Sequence, residues 1–170
     1  MPRRPQILVI GYNGNHCTKE AYDLGYQVGR EIARSKGIVI TGGLGGIMEA
    51  ACKGAKEEGG ITVGIVPQED RSLANSYADI VISTGLGYAR DFVNAYTADA
   101  IIVIGGGAGT LVEVSAAYLK SKPIIALVGS GGVADNVAGT YLDDRKVVRV
   151  ESGHSPKEAV EKAFASLKAG

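Results

Sequence analysis

Two short stretches of the chain share a residue pattern suited to holding an anion. The first, Gly42-Gly43-Leu44-Gly45-Gly46-Ile47-Met48-Glu49, follows an apolar run that ends at Thr41. The second, Gly106-Gly107-Ala108-Gly109-Thr110-Leu111-Val112-Glu113, follows a run that ends at Ile104. Both read G-G-x-G-(G/T)-apolar-apolar-E, and both lead into Ala-rich stretches of helical character. A glycine-rich turn between strand and helix lets backbone N–H groups come close to an anion, and the helix N-terminus adds unpaired N–H groups and a positive dipole end. Gly42, Gly43, Gly45 and Gly46 in one turn, and Gly106, Gly107, Gly109 and Thr110 in the other, are therefore candidate phosphate ligands. Thr110 brings a hydroxyl donor as well. Neither turn is a Walker A loop or a G-x-G-x-x-G dinucleotide fingerprint.

The glutamates closing each pattern carry a second kind of chemistry. A carboxylate in the first turn of a helix is favoured by the dipole, worth about 0.3–1 kcal/mol. Facing a phosphate it would repel it, so Glu113 is expected to face another part of the ligand, polarising a sugar or positioning water. Glu49 is assigned a structural role. Arg90 precedes Phe92, Val93 and Tyr96, apolar residues at helical spacing. From these neighbours alone it reads as half of a surface ion pair with Asp91, worth about 0–1 kcal/mol. Asn13, in the turn Gly11-Tyr12-Asn13-Gly14-Asn15, could bond a base or ribose, although Asn and Gly are also ordinary turn residues. Gly129-Ser130-Gly131-Gly132 reads as a mobile lid or a plain loop. His16 and His154 have no partners at metal-ligand spacing, so no metal and no resident cofactor is expected.

The elements that must position these residues are legible as short apolar runs: 7–10, 37–41, 61–66, 80–82, 100–104, 123–128 and 147–150. Most lack polar alternation, the pattern of strands buried on both faces of a parallel sheet. Between them lie helical stretches. Ala21, Leu24, Val28 and Ile32 share one face, and Ser155, Pro156 and Glu158 form a capping box ahead of Val160, Ala163, Phe164 and Leu167. Strand alternating with helix predicts an α/β three-layer sandwich with a mainly parallel sheet and right-handed crossovers. The two glycine turns are expected on neighbouring strands, forming one crevice at the topological switch point. Nothing divides residues 1–170, which read as a single domain.

Composition narrows the function classes. Lys plus Arg and Asp plus Glu each number 18, giving zero formal net charge. That balance argues against a nucleic-acid coat or a membrane-surface protein. The 25 glycines in 170 residues are about twice the usual ~7%, and with five prolines and no Gly-X-Y period they serve turns rather than collagen. Cys17 and Cys52 cannot build a disulfide framework and fit a reducing cytoplasm as small apolar fillers. The apolar stretch near the N-terminus is too short for a signal peptide or a membrane span. The reading is a soluble, cytoplasmic protein.

The second glycine motif, Gly105 to Glu113, resembles the P-G-G-x-G-T-x-x-E hallmark of the Rossmann-like superfamily that includes the LONELY GUY cytokinin-activating phosphoribohydrolases, long taken for lysine decarboxylases. Gly105 replaces the hallmark proline. Gly87-Tyr88-Ala89-Arg90-Asp91 matches the family's M-x-x-R-K segment at the arginine, with Asp91 in place of the lysine. A closer resemblance is to the DprA/Smf-related branch that contains the molybdenum-cofactor carrier protein. It rests on Thr41 to Ala55, Gly64-Ile65-Val66-Pro67, Ala89-Arg90-Asp91 and Ala98 to Glu113. The resemblance spans nearly the whole chain. It implies a Rossmann-like nucleotide-binding domain in which Glu113 and Arg90 act on the ribose and the N-glycosidic bond, while the glycine turns hold a 5′-phosphate.

Three functions remain open at this level. One is hydrolysis of a nucleoside 5′-monophosphate to base and ribose 5-phosphate. Another is a non-catalytic carrier of molybdenum cofactor or a mononucleotide. Single-stranded DNA binding is the weakest, since zero net charge offers no phosphate-tracking stripe. A homo-oligomer, most simply a two-fold dimer, is expected from the resemblance and from the Ala-rich helices, the second ending in Tyr118 and Leu119.

Overall fold

The computed structural model describes residues 3–168. Seven strands form one sheet in the order β4-β3-β2-β1-β5-β6-β7, every pair parallel. They are β1 (Gln6–Gly11), β2 (Ile38–Thr41), β3 (Ile61–Val66), β4 (Ile80–Ser83), β5 (Ala100–Ile104), β6 (Ile124–Leu127) and β7 (Glu151–Gly153). Among the described residues six α-helices accompany them, five between strands and the last after β7: α1 (Lys19–Arg34), α2 (Ile47–Glu57), α3 (Arg90–Thr97), α4 (Ala108–Leu119), α5 (Gly132–Val137) and α6 (Pro156–Ser166). The strand order reverses direction between β1 and β5, the doubly wound, Rossmann-like arrangement.

Alternate residues of each central strand feed opposite layers. Ile7 and Val9 of β1 join a core with α1, α2 and α6, through residues such as Val28, Ile47, Ala51 and Val160. Leu8 and Ile10 join the other core with α3, α4 and α5, through Ala95, Val114, Tyr118 and Ala134. The face predicted for α1 is turned inward at Ala21, Val28 and Ile32, and Gly25 and Gly29 are buried beside it. The two glycines let α1 lie directly on α2. A methyl at Gly29 would stand 2.0 Å from the Ala51 carbonyl oxygen, so any side chain there forces the helices apart. At α6, Ser155 accepts from the Glu158 N–H, and Glu158 returns a bond to the N–H of His154 rather than to that of Ser155.

Two expectations need correction. The apolar segment 147–150 is not a strand. Val150 is buried, but its N–H donates to the Thr140 carbonyl and its own carbonyl accepts from Gly139. That exchange with the loop after α5 leaves Glu151–Gly153 to pair with β6. The glycine turns do not leave neighbouring strands either: β1 stands between β2 and β5. The turn after β1 therefore forms the middle of the crevice. One further departure concerns β4, an edge strand on which Ile80 and Ile82 are half-exposed instead of buried on both faces.

Candidate functional site

The carboxyl ends of β2, β1 and β5 open into a cleft of about 520 Å³. Of the residues singled out in the sequence, Asn13, Gly42, Arg90, Gly107, Gly109, Thr110 and Glu113 line it. Gly43, Gly45, Gly46 and Gly106 do not. Gly43 packs toward Val66, Gly45 toward Gly14, and Gly46 sits against the backbone of Tyr12 and Asn13. Gly106 backs onto the side chain of Thr110, and its carbonyl accepts from the Val133 N–H.

The two turns, matched in sequence, fold differently. After β2 the helix begins at Ile47, with Gly46 as its N-cap; after β5 it begins at Ala108, with Gly107 as its N-cap. Glu49 therefore lies in the first turn of α2, while Glu113 lies a turn deeper in α4. The ends also differ in what they offer. The Ile47 N–H donates to the Tyr12 carbonyl, and the Gly43 and Leu44 carbonyls accept from Asn75. The first turn is thus tied into the protein and serves as a wall. Among the described residues no partner accepts from the N–H groups of Ala108, Gly109 or Thr110, and residues 107–109 are exposed at the cleft. These are the orphan donors that make a helix N-terminus an anion site. The Thr110 hydroxyl donates to the Gly11 carbonyl, 3.1 Å away, so its proton is already committed and it presents lone pairs instead of the expected donor.

Against these backbone donors stands a buried polar cluster from the other wall. Arg90 begins α3, and its guanidinium lies on the first glycine turn, with Nη1 only 2.1 Å from where a methyl at Gly42 would be. Only glycine leaves room for it. Arg90 Nε is buried without a hydrogen-bond partner and stands 3.8 Å from Asp91 Oδ1. The pair is not a surface pair: both residues are less than a tenth exposed. Asn94, one turn along α3, donates its amide to Glu113 Oε1 at 2.8 Å. Burial pushes the Glu113 carboxyl up to about 8, and the charge of Asp91 adds to this, while the Asn94 bond and Arg90 oppose it. Burial raises Asp91 as well, against the pull of Arg90. At neutral pH Glu113 is therefore mostly the neutral acid. Glu49 is elsewhere, accepting from the Tyr22 hydroxyl at 3.0 Å, in line with its structural assignment.

Residues 4–160 match the family described as SLOG cluster4. The chain belongs to the SLOG cluster4 family. An uncharacterized protein of Archaeoglobus fulgidus is 43% identical over 122 residues, which span 72% of this chain and 79% of that protein. The structure of the molybdenum cofactor carrier protein of Chlamydomonas reinhardtii superposes with a TM-score of 0.83 at 32% identity, covering 99% of this chain and 100% of that one. A protein of Mycobacterium tuberculosis named cytokinin riboside 5′-monophosphate phosphoribohydrolase is 37% identical over 115 residues, 62% of this chain and 62% of that protein. The chain thus spans less than two thirds of that relative. The resemblance read from the motifs is borne out by these matches.

In this SLOG cluster4 protein, sequence reasoning missed Asp91 and Asn94 as site residues. The helical spacing of Phe92, Val93 and Tyr96 marks an apolar face, yet Phe92 and Tyr96 are exposed, Val93 packs in part against the core, and Asp91, Asn94 and Ala95 are buried. The signal was present as Arg90, Asp91 and Asn94, spaced so as to share the opposite helix face. Asn13, exposed on the floor turn, accepts from its neighbour's Gly14 N–H and caps a short 3₁₀ turn. The 129–132 loop is pinned rather than lid-like: Ser130 Oγ accepts from the Gly105 N–H, and Asp135 accepts from Gly129 and Gly131. His16 and Tyr88 stand at the rim of the cleft. Among the described residues no three His, Cys, Asp or Glu side chains are grouped to hold a metal ion, and no helix is long and apolar enough to cross a membrane.

Proposed function

We propose that this protein binds a phosphorylated nucleotide-like molecule in the β2–β1–β5 cleft and hydrolyses the N-glycosidic bond of a nucleoside 5′-monophosphate. The observation that carries the reading is the facing of opposite chemistries across one cleft. Unpaired N–H groups at the start of α4 suit a phosphate, the buried Arg90 of α3 stands across from them with an unsatisfied Nε, and Glu113, a turn deeper in α4, is buried with its carboxyl raised. Such groups cost stability unless a ligand uses them.

In this reaction the C1′–N bond breaks as the base departs, and water supplies the hydroxyl that completes ribose 5-phosphate while its other proton ends on the departing base. Positive charge grows on the ribose in the transition state. Ionised Glu113 stabilises that charge or orients the water, and Arg90 stabilises negative charge on the base or fixes the ribose hydroxyls. Because Glu113 must lose its proton to act this way, kcat/KM should rise with pH through about 8. Glu113→Ala and Arg90→Ala should each lower turnover by roughly 10²-fold or more. Chromatography of free base and ribose 5-phosphate from a panel of nucleoside monophosphates provides the test.

A second reading, a non-catalytic carrier of molybdenum cofactor or a mononucleotide, is favoured by the match to the carrier protein over nearly the full length of both chains, and by Asp91 in place of the hallmark lysine. Measurable ligand binding with no turnover of any monophosphate would leave this reading standing and remove the first. In either case the protein is taken as a single-domain, cytoplasmic small-molecule binder.

A further inference from the structure

The two faces of the cleft are mismatched in a way that specifies more than a phosphate. The start of α4 offers donors only. The cluster on α3 presents acceptors that nothing in the protein fills. Asp91 is 6% exposed and lines the cleft, and its carboxylate accepts no hydrogen bond among the described residues. One turn along the same face, Asn94 Oδ1 is buried and equally unpartnered. A carboxylate accepts and does not donate. A phosphate, itself made of acceptors, cannot complete such a group and is repelled by it.

Distance decides which part of a ligand completes the cluster. Asp91 Oδ2 lies 3.9 Å from where a methyl at Gly109 would be, beside the second residue of α4. The unfilled acceptor is therefore next to the phosphate position, within the reach of a pentose attached to that phosphate and closer than its base. Two adjacent hydroxyls match the two oxygens of one carboxylate.

We infer that Asp91 is the specificity-determining residue of this cleft, its carboxylate receiving the vicinal hydroxyls of a ribose whose 5′-phosphate sits on the N-terminus of α4. The inference rests on the proposed phosphate site and deepens it, naming a ribo-configured sugar as the part of the ligand that is recognised. A site built to bond a hydroxyl rejects the analogue lacking it, because its own buried acceptor is then left unpaired. The same carboxylate weakens binding of bare phosphate, which has no donor to compensate for the repulsion.

The test titrates the full chain, and its Asp91→Asn variant, with three base-free probes: ribose 5-phosphate, 2-deoxyribose 5-phosphate and inorganic phosphate. The native protein should prefer ribose 5-phosphate over the deoxy sugar by at least about tenfold, the scale of one hydrogen bond to a charged group. In Asp91→Asn that preference should fall to near unity while inorganic phosphate binds as well or better. The substitution keeps the shape of the side chain but takes from the buried Arg90 guanidinium its partner at 3.8 Å, so thermal melts of both proteins accompany the titrations, which are run where the variant is fully folded. Equal affinity of the native protein for both sugars, or an unchanged ratio in the variant, would overturn the inference and leave the phosphate site intact. A parallel loss of all three probes in the variant would show a merely structural residue and also overturn it. No binding of any probe by the native protein would remove the phosphate site itself.

Discussion

At the residue scale, Glu113 is held in an environment that opposes its charge. It is buried, faces Asp91, and has one bond from Asn94 to offset this, so its carboxyl is raised from 4.5 to about 8. The sign of the linkage follows. Between these two values the native state holds a proton that the unfolded state has lost, so stability falls as pH rises through this window and is flat on either side of it. At about 1.4 kcal/mol for each tenfold change in the protonation equilibrium, the loss is on the order of a few kcal/mol. Glu113→Gln keeps an oxygen for Asn94 and removes the titration. The variant should match the native protein near pH 4.5 and exceed it increasingly up to pH 8, as read by denaturant melts across that range. A stability difference independent of pH would show that Glu113 is ionised in the folded protein across that range.

At the element scale, the two glycine turns show how much a sequence pattern conveys and where it stops. Their positions at the carboxyl edge, the strands feeding them and the polar residues of the second were all legible, because apolar runs and glycine clusters are local signals. The helix start was not, since it depends on long-range partners: the Tyr12 carbonyl captures Ile47, and among the described residues none captures Ala108. Nor was the inversion of α3 legible, because whether Phe92 or Asp91 turns inward is decided by the cleft it faces. Adjacent glycines in the second turn make this testable. Gly106 has φ +98° and its added methyl would overlap Thr110, whereas Gly107 has an ordinary φ of −122° and open space around that position. Gly106→Val should therefore destabilise the fold by about 1–3 kcal/mol or more. Gly107→Val should melt normally but lose affinity for phosphate and nucleoside monophosphates, since its side chain projects where the anion would sit. Calorimetry showing unchanged affinity in Gly107→Val would remove the α4 N-terminus as the anion site.

At the scale of the whole molecule, the same inversion of α3 leaves apolar surface without a partner. Phe92 and Tyr96 point outward with their rings edge to face at 6.1 Å, and Leu111, Val112 and Leu119 of the adjoining α4 are exposed too. Tyr118, expected to help form an interface, is instead buried and donates its hydroxyl to Asp143. The oligomer proposed from the Ala-rich helices is thus better supported by the outward faces of α3 and α4 than by the residues first considered. Grouped exposed apolar side chains are candidates for an interaction surface, and pairing one such face with its own copy gives a closed two-fold dimer. Because Arg90 and Asp91 begin the helix that carries Phe92 and Tyr96, a partner on this face would also fix the wall of the cleft. Light scattering should then return about twice the 17.6 kDa chain mass at micromolar concentration. Phe92→Asp together with Tyr96→Asp should shift the protein to monomer and weaken ligand binding, although neither residue lines the cleft. A monomer mass for the native chain across that range would overturn the dimer. A native dimer that survives both substitutions would place its interface on another face.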